Sequence, residues 1–124
     1  MKPKYLYHGS SRKLKILRRK KAKGGIKKDK LKGVYATPEK KVAIMMGLIS
    51  GKGVKESSFH ETNKKMQGII YGGYIKNRVF YVYYLPSKTF KKIDSWQWIS
   101  EKEVKPLKVE RLLVKDYIHM VRKA

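Results

Sequence analysis

Apolar and polar positions along the chain predict short strands, one amphipathic helix and then a strand-rich second half. Tyr5-Leu6-Tyr7 is a short apolar strand that ends in His8-Gly9-Ser10, and Gly33-Val34-Tyr35-Ala36 is a second. Thr37 and Pro38 then start a helix, because Thr37 can cap it and Pro38 suits the first helical position, where its missing N–H is no loss. Over residues 38–50, Val42, Ala43, Met46 and Ile49 recur at three- and four-residue spacing, the signature of an amphipathic helix, and Gly51 and Gly53 end it. Residues 52–67 are polar and turn-rich and read as an exposed loop, in which His60 beside Glu61 is a candidate pair.

From Gly68 the pattern changes to strands at Ile69-Ile70-Tyr71 and Tyr74-Ile75, then a turn at Lys76-Asn77-Arg78. Val79 to Leu85 is β-branched and aromatic on both faces, as a central strand requires, and Pro86 stops it. Residues 87–103 read as a connection carrying Trp96, Trp98, Glu101 and Glu103. Val104 to Val114 is a last strand, which Pro106 assigns to an edge or a bulge; Asp116 to Met120 completes the core, with His119 at the surface. A chain of 124 residues with this pattern is one α+β domain.

Charge changes the picture. The chain holds 32 Lys and Arg against 9 Asp and Glu, a net charge of +23. Such a chain repels itself, and neutralising the phosphates of a polyanion releases condensed counterions, so RNA or DNA is the expected partner. Thermophilic surfaces add Glu together with Lys, and here Glu is scarce. The excess is concentrated between the first two strands, where residues 18–30 form a basic flexible loop whose Arg18, Arg19, Lys20, Lys21, Lys23, Lys27 and Lys28 are candidate phosphate ligands. There is no cysteine and no histidine cluster with ligand spacing, so no metal is expected. No apolar run approaches a membrane span, and a cytoplasmic monomer is the expectation.

His8-Gly9-Ser10, then Gly33-Val34-Tyr35-Ala36 ahead of a helix, then a glutamate at the head of a late strand, resembles the His-Tyr-Glu arrangement of the ADP-ribosyltransferase superfamily, in its poly(ADP-ribose) polymerase and diphtheria-toxin branch. The resemblance implies an ADP-ribosyltransferase-like fold of split, bent antiparallel β-sheets with few helices, and NAD as substrate in the cleft between them. It implies that His8 bonds a ribose hydroxyl, the Gly9 backbone holds the nicotinamide carboxamide, Ser10 supports that pocket and Tyr35 stacks on the ring. Glu103, or Glu101 in another register, would bond the ribose 2′-hydroxyl and stabilise the cationic transition state as nicotinamide leaves. Arg12 and the loop lysines would hold the pyrophosphate or a nucleic-acid acceptor. The family's second aromatic, about eleven residues after the motif tyrosine, is replaced here by Met45 and Met46. The implied activity is NAD-dependent transfer of ADP-ribose, a glycosyltransferase reaction, to an acidic acceptor, nucleic acid ahead of protein. The alternative is a non-catalytic basic nucleic-acid-binding protein on the same or another small α+β fold.

Overall fold

A computed structural model describes residues 2–18, 20–21 and 32–124. Most of the basic loop expected at 18–30, with Arg19, Lys23, Lys27 and Lys28, lies outside the described residues. The described chain is α+β, with three small sheets and two short helices. Strand β1 (Tyr5–Ser10) pairs antiparallel with β6 (Val79–Pro86), which pairs antiparallel with β9 (Lys108–Leu113). A second sheet runs β2 (Lys20–Lys21), β3 (Lys32–Ala36), β8 (Trp98–Ser100), β7 (Phe90–Lys92). The third joins the hairpin β4 (Ser57–Thr62) and β5 (Lys65–Ile70) to a parallel C-terminal strand, β10 (Val121–Lys123). Among the described residues, the first and second sheets meet at a single bridge, where the Tyr7 and Thr37 backbones exchange N–H···O bonds of 2.8 and 2.9 Å.

Strand β6 is central, as its two apolar faces require, because alternate residues serve different clusters. Phe80 packs with Val42, Met45 and Leu48 of helix α1 (Lys40–Ile49) and with Met66 of β5. Tyr83 and Leu85 pack on the other side with Leu6, Val34, Phe90 and Val104. Strand β9 is an edge strand, consistent with Pro106 just before it. The chain then turns through α2 (Val114–Tyr117) and a 3-10 turn at Ile118–Met120, with His119 exposed. No helix among the described residues is long and apolar enough to cross a membrane.

Four local expectations are corrected. Helix α1 begins at Lys40, with Glu39 as its N-cap residue, and the Thr37 hydroxyl accepts from the Glu39 N–H at 3.1 Å instead of capping a helix that includes Pro38. Residues 57–70 form a hairpin rather than beginning with a loop: Asn63 and Lys64, at φ 50° and 63°, make the left-handed two-residue turn that matches the twist of paired strands. Polarity disguised β4, since of its six residues only Ser57 and Phe59 are even half-buried. Strands β7 and β8 occupy part of the expected connection at 87–103. Tyr74-Ile75 forms no strand; Gly73 contributes only an isolated bridge to Val54.

One buried phenol ties the segment after β1 to the core. Tyr83 is fully buried; its hydroxyl donates to the Arg12 carbonyl at 2.9 Å and accepts from the Leu14 N–H at 2.5 Å. Burial raises the Tyr83 pKa above its ordinary value. Replacing Tyr83 with Phe leaves both backbone groups without that partner, so urea denaturation is expected to show a loss of about 1–3 kcal/mol, the usual cost of unsatisfied buried groups. An unchanged midpoint would show that water reaches Arg12 and Leu14 and that the phenol is dispensable.

Candidate functional site

The seam between the first two sheets brings His8 and Tyr35 together. Strand β1 runs toward His8-Gly9-Ser10 while β3 delivers Tyr35, and the His8 ring lies across the gap, its Nδ1 2.6 Å from the Tyr35 carbonyl oxygen. A carbonyl oxygen only accepts, so Nδ1 carries the proton, and in the neutral ring Nε2 is then an acceptor. Tyr7, His8, Gly9, Tyr35, Ala36, Met46, Trp96 and Gln97 line a small cleft of about 10 Å³ at this point.

Gly9 lies in this wall for a steric reason. A Cβ placed on it would lie 1.8 Å from the Ala43 carbonyl oxygen and 2.6 Å from the Gly47 nitrogen, both backbone atoms of α1. Helix α1 therefore rests directly on β1 at a crossing of two glycines, and this contact carries Met46 to the cleft. Met46 stands eleven residues after Tyr35, where the resemblance expects a second aromatic. The aromatic in the structure comes instead from Trp96, which was expected only as part of a connection.

The acid expected opposite His8 and Tyr35 is not there. Pairing of β3 with β8 sets Tyr35 opposite Ile99 and Ala36 opposite Trp98, so the residue that continues Ile99's face toward the seam is Gln97. Glu101 lies on the far side of Ile99 from Gln97, beyond the end of β8, and is exposed. The chain turns away there because the buried Ser100 hydroxyl accepts from the Lys102 N–H at 3.2 Å and donates to the Lys102 carbonyl at 3.1 Å. Glu103 pairs with Arg18 at 3.0 Å, beside the bridge between Leu17 and Val104. Neither glutamate lines the cleft; Glu103 instead holds the root of the basic segment, an exposed pair contributing at most about 1 kcal/mol.

Gln97 is positioned by a turn that the sequence analysis passed over. The Asp94 carboxylate accepts from the Trp96 and Gln97 backbone N–H groups at 3.0 and 2.9 Å, and the Gln97 carbonyl accepts from the Ile93 N–H at 2.9 Å. Asp-Ser-Trp-Gln is a legible Asx-turn signal, but only the strand pairing shows that it faces Tyr35.

The remaining candidates divide by place. The Ser10 hydroxyl accepts from the Arg12 N–H at 3.1 Å, shaping the turn after β1, and Arg12 is exposed outside the cleft lining. Lys20 and Lys21 pair through their backbones with Gly33 and Lys32. His60 and Glu61 are neighbours on a strand and so face opposite ways, which removes them as a catalytic pair; Glu61 is ion-paired with Lys41.

One acid of the last third, Glu110, reaches the cleft only through intermediaries. Its Oε1 accepts from Lys40 at 2.6 Å and from the Tyr84 hydroxyl, and Tyr84 meets Tyr7 edge to face at 5.0 Å. Lys40 first, and then the Tyr84 hydroxyl, hold the Glu110 carboxyl below its usual range, and the same bonds raise the Lys40 and Tyr84 pKa values. Glu110 thus clamps the start of α1 to the sheet edge and braces Tyr7. No known protein family, characterised protein or solved structure matches the chain.

Proposed function

We propose that the protein takes the nicotinamide-ribose end of NAD at the His8–Tyr35 cleft and transfers ADP-ribose, slowly, to a nucleic-acid acceptor. The observation that carries this reading is the His8 ring reaching the backbone carbonyl of Tyr35, 27 residues away, at the seam where two sheets separate, with both residues lining the cleft. The chemistry of the lining supports it. Tyr35 and Trp96 bring two aromatic rings to the lining, the kind of surface a flat cationic ring packs on, and His8 and Gln97 bring an imidazole and an amide, groups of the kind that bond ribose hydroxyls. A cleft of about 10 Å³ holds a single water, so Trp96, half-buried on its turn, must move for a nicotinamide ring to enter.

In the transfer, the glycosidic bond from C1′ to the nicotinamide nitrogen breaks and its electron pair goes to nicotinamide, which leaves neutral. An acceptor oxygen or nitrogen forms the new bond to C1′ and gives any proton it carries to solvent. Cationic character builds on the ribose as the bond breaks. The neutral Gln97 offsets it less than a carboxylate would, which is the reason for a slow reaction. The same amide favours a second reading, a non-catalytic nucleic-acid-binding protein on this scaffold.

Calorimetric titration with NAD, together with assay of nicotinamide release in the presence of RNA or DNA, tests both. The wild-type chain is expected to bind NAD and release nicotinamide, and His8→Ala, with its fold checked by thermal melting, to bind about tenfold more weakly. Absence of NAD binding by the wild type would end the first reading; binding without release on any acceptor would establish the second.

A further inference from the structure

We infer that single-stranded nucleic acid lies along a track from the tip of the β4–β5 hairpin toward the Tyr35 cleft, its phosphates on Lys64 and Lys65 and its bases in the groove between α1 and β4. Three cavities with shared walls form this track. A hollow of about 740 Å³ at the hairpin tip shares Met66 with a groove of about 720 Å³, and the groove shares Met46 and Trp96 with the cleft. Naming the strand as the acceptor rests on the reading of the cleft given above, whereas its binding in the hollow and groove does not.

The two larger cavities differ in chemistry as the two parts of a nucleotide differ. The ionisable groups lining the hollow are Lys41, Lys64, Lys65 and His119, with no carboxylate among the lining residues. Lys41 is ion-paired with Glu61 at the border of the groove, so Lys64 and Lys65, exposed at the turn, are the phosphate ligands. The hairpin presents them on a fixed backbone, because Asn63 and Lys64 form a tight turn between strands paired over their full length.

The groove has the opposite character. Its floor is apolar, and Phe59 and Trp96 meet edge to face at 5.7 Å. Its rim holds Glu39 and Glu61, two of the chain's nine acids. Glu61 is held by Lys41, which leaves the Glu39 carboxylate to repel a phosphate backbone, whereas an unstacked base can lie on the aromatic and thioether surface and donate its exocyclic amine to Glu39. A duplex keeps its bases stacked inside and cannot use such a groove.

Fluorescence anisotropy with short fluorescein-labelled RNA and DNA single strands of one sequence, and with the corresponding duplex, tests the track. For K64Q/K65Q, affinity near 0.1 M salt is expected to fall about tenfold, and the slope of log K against log salt to flatten by about 1.4, the share of two single-strand phosphates. Phe59→Ala is expected to weaken binding about fivefold or more through lost stacking. The pair K91Q/K92Q, exposed on β7 in another sheet, removes the same charge and is expected to change affinity less than about twofold.

Equal losses from the two lysine pairs would overturn the track in favour of diffuse attraction. Duplex binding as tight as single-strand binding would overturn the base groove, and polyglutamate displacing the oligonucleotide at equal charge would overturn the nucleic-acid assignment. NAD titration of K64Q/K65Q keeps the two proposals separate. Unchanged NAD affinity with lost oligonucleotide binding supports the track, while failure of NAD to bind any variant removes the cleft reading and leaves the oligonucleotide result standing.

Discussion

Replacing Gly9 with alanine is expected to destabilise the protein by about 3 kcal/mol or more, the upper end of what overpacking a core costs. The added methyl would sit 1.8 Å from the Ala43 carbonyl oxygen and 2.9 Å from its carbon, and neither can rotate away as the end of a side chain could. Helix α1 would have to lift off β1 as a unit. That movement loosens the cluster in which Val42, Met45, Leu48 and Ile49 meet Phe80 and Met66. Against a total stability of about 5–15 kcal/mol the loss is large, and the melting temperature is expected to fall by roughly 10 °C or more. Thermal and urea unfolding measure it. A Gly9→Ala variant within about 1 kcal/mol of wild type would show that the helix is not seated on the strand as described, and the placement of Met46 at the cleft would fall with it.

Replacing Gln97 with glutamate is expected to raise nicotinamide release by about a hundredfold, the scale on which a single well-placed electrostatic group acts on a transition state. The substitution is nearly isosteric and leaves intact the backbone bonds to Asp94 and Ile93 that form the turn. It exchanges the N–H donors of the amide for the negative charge that a developing ribosyl cation calls for. Asp94 lies close by, but its carboxylate already accepts two backbone N–H groups, which moderates its repulsion of a second acid. Glu101→Ala and Glu103→Ala are expected to leave the rate unchanged, because one is exposed beyond the Ser100 turn and the other is held by Arg18. The decisive contrary result is loss of release in Glu103→Ala with no gain in Gln97→Glu, which would return the catalytic carboxylate to Glu103.

The glutamates that the sequence singled out do not line the cleft, and Gln97 does. Acids are scarce in this chain, so Glu101 and Glu103 stood out at the head of an apolar stretch, while Gln97, between two tryptophans, looked like part of a connection. What separates them is the pairing of Tyr35 with Ile99, a contact between residues 64 positions apart that no local pattern encodes. Trp96 was passed over for the same reason. The hairpin at 57–70 was missed differently: its β4 strand has little to bury, so the alternation that marks a strand is weak, and its turn is Asn-Lys in place of the more familiar Asn-Gly.

Periodicity and composition by themselves determined that this is a mixed α+β chain with a helix over the forties, a two-faced central strand at Val79 to Leu85 and an edge strand beyond Pro106, because burial on one or both faces imposes its spacing directly on neighbouring residues. The His-Gly-Ser and Gly-Val-Tyr-Ala motifs, rather than periodicity, singled out His8 and Tyr35, which lie within β1 and β3. The tertiary structure alone decided what lies opposite those two side chains, since strand register and the crossing of α1 over Gly9 act between residues far apart in sequence. It put the Gln97 amide where a carboxylate was expected, chose Met46 over the core-buried Met45 for the cleft, and brought Trp96 in from a turn that Asp94 holds.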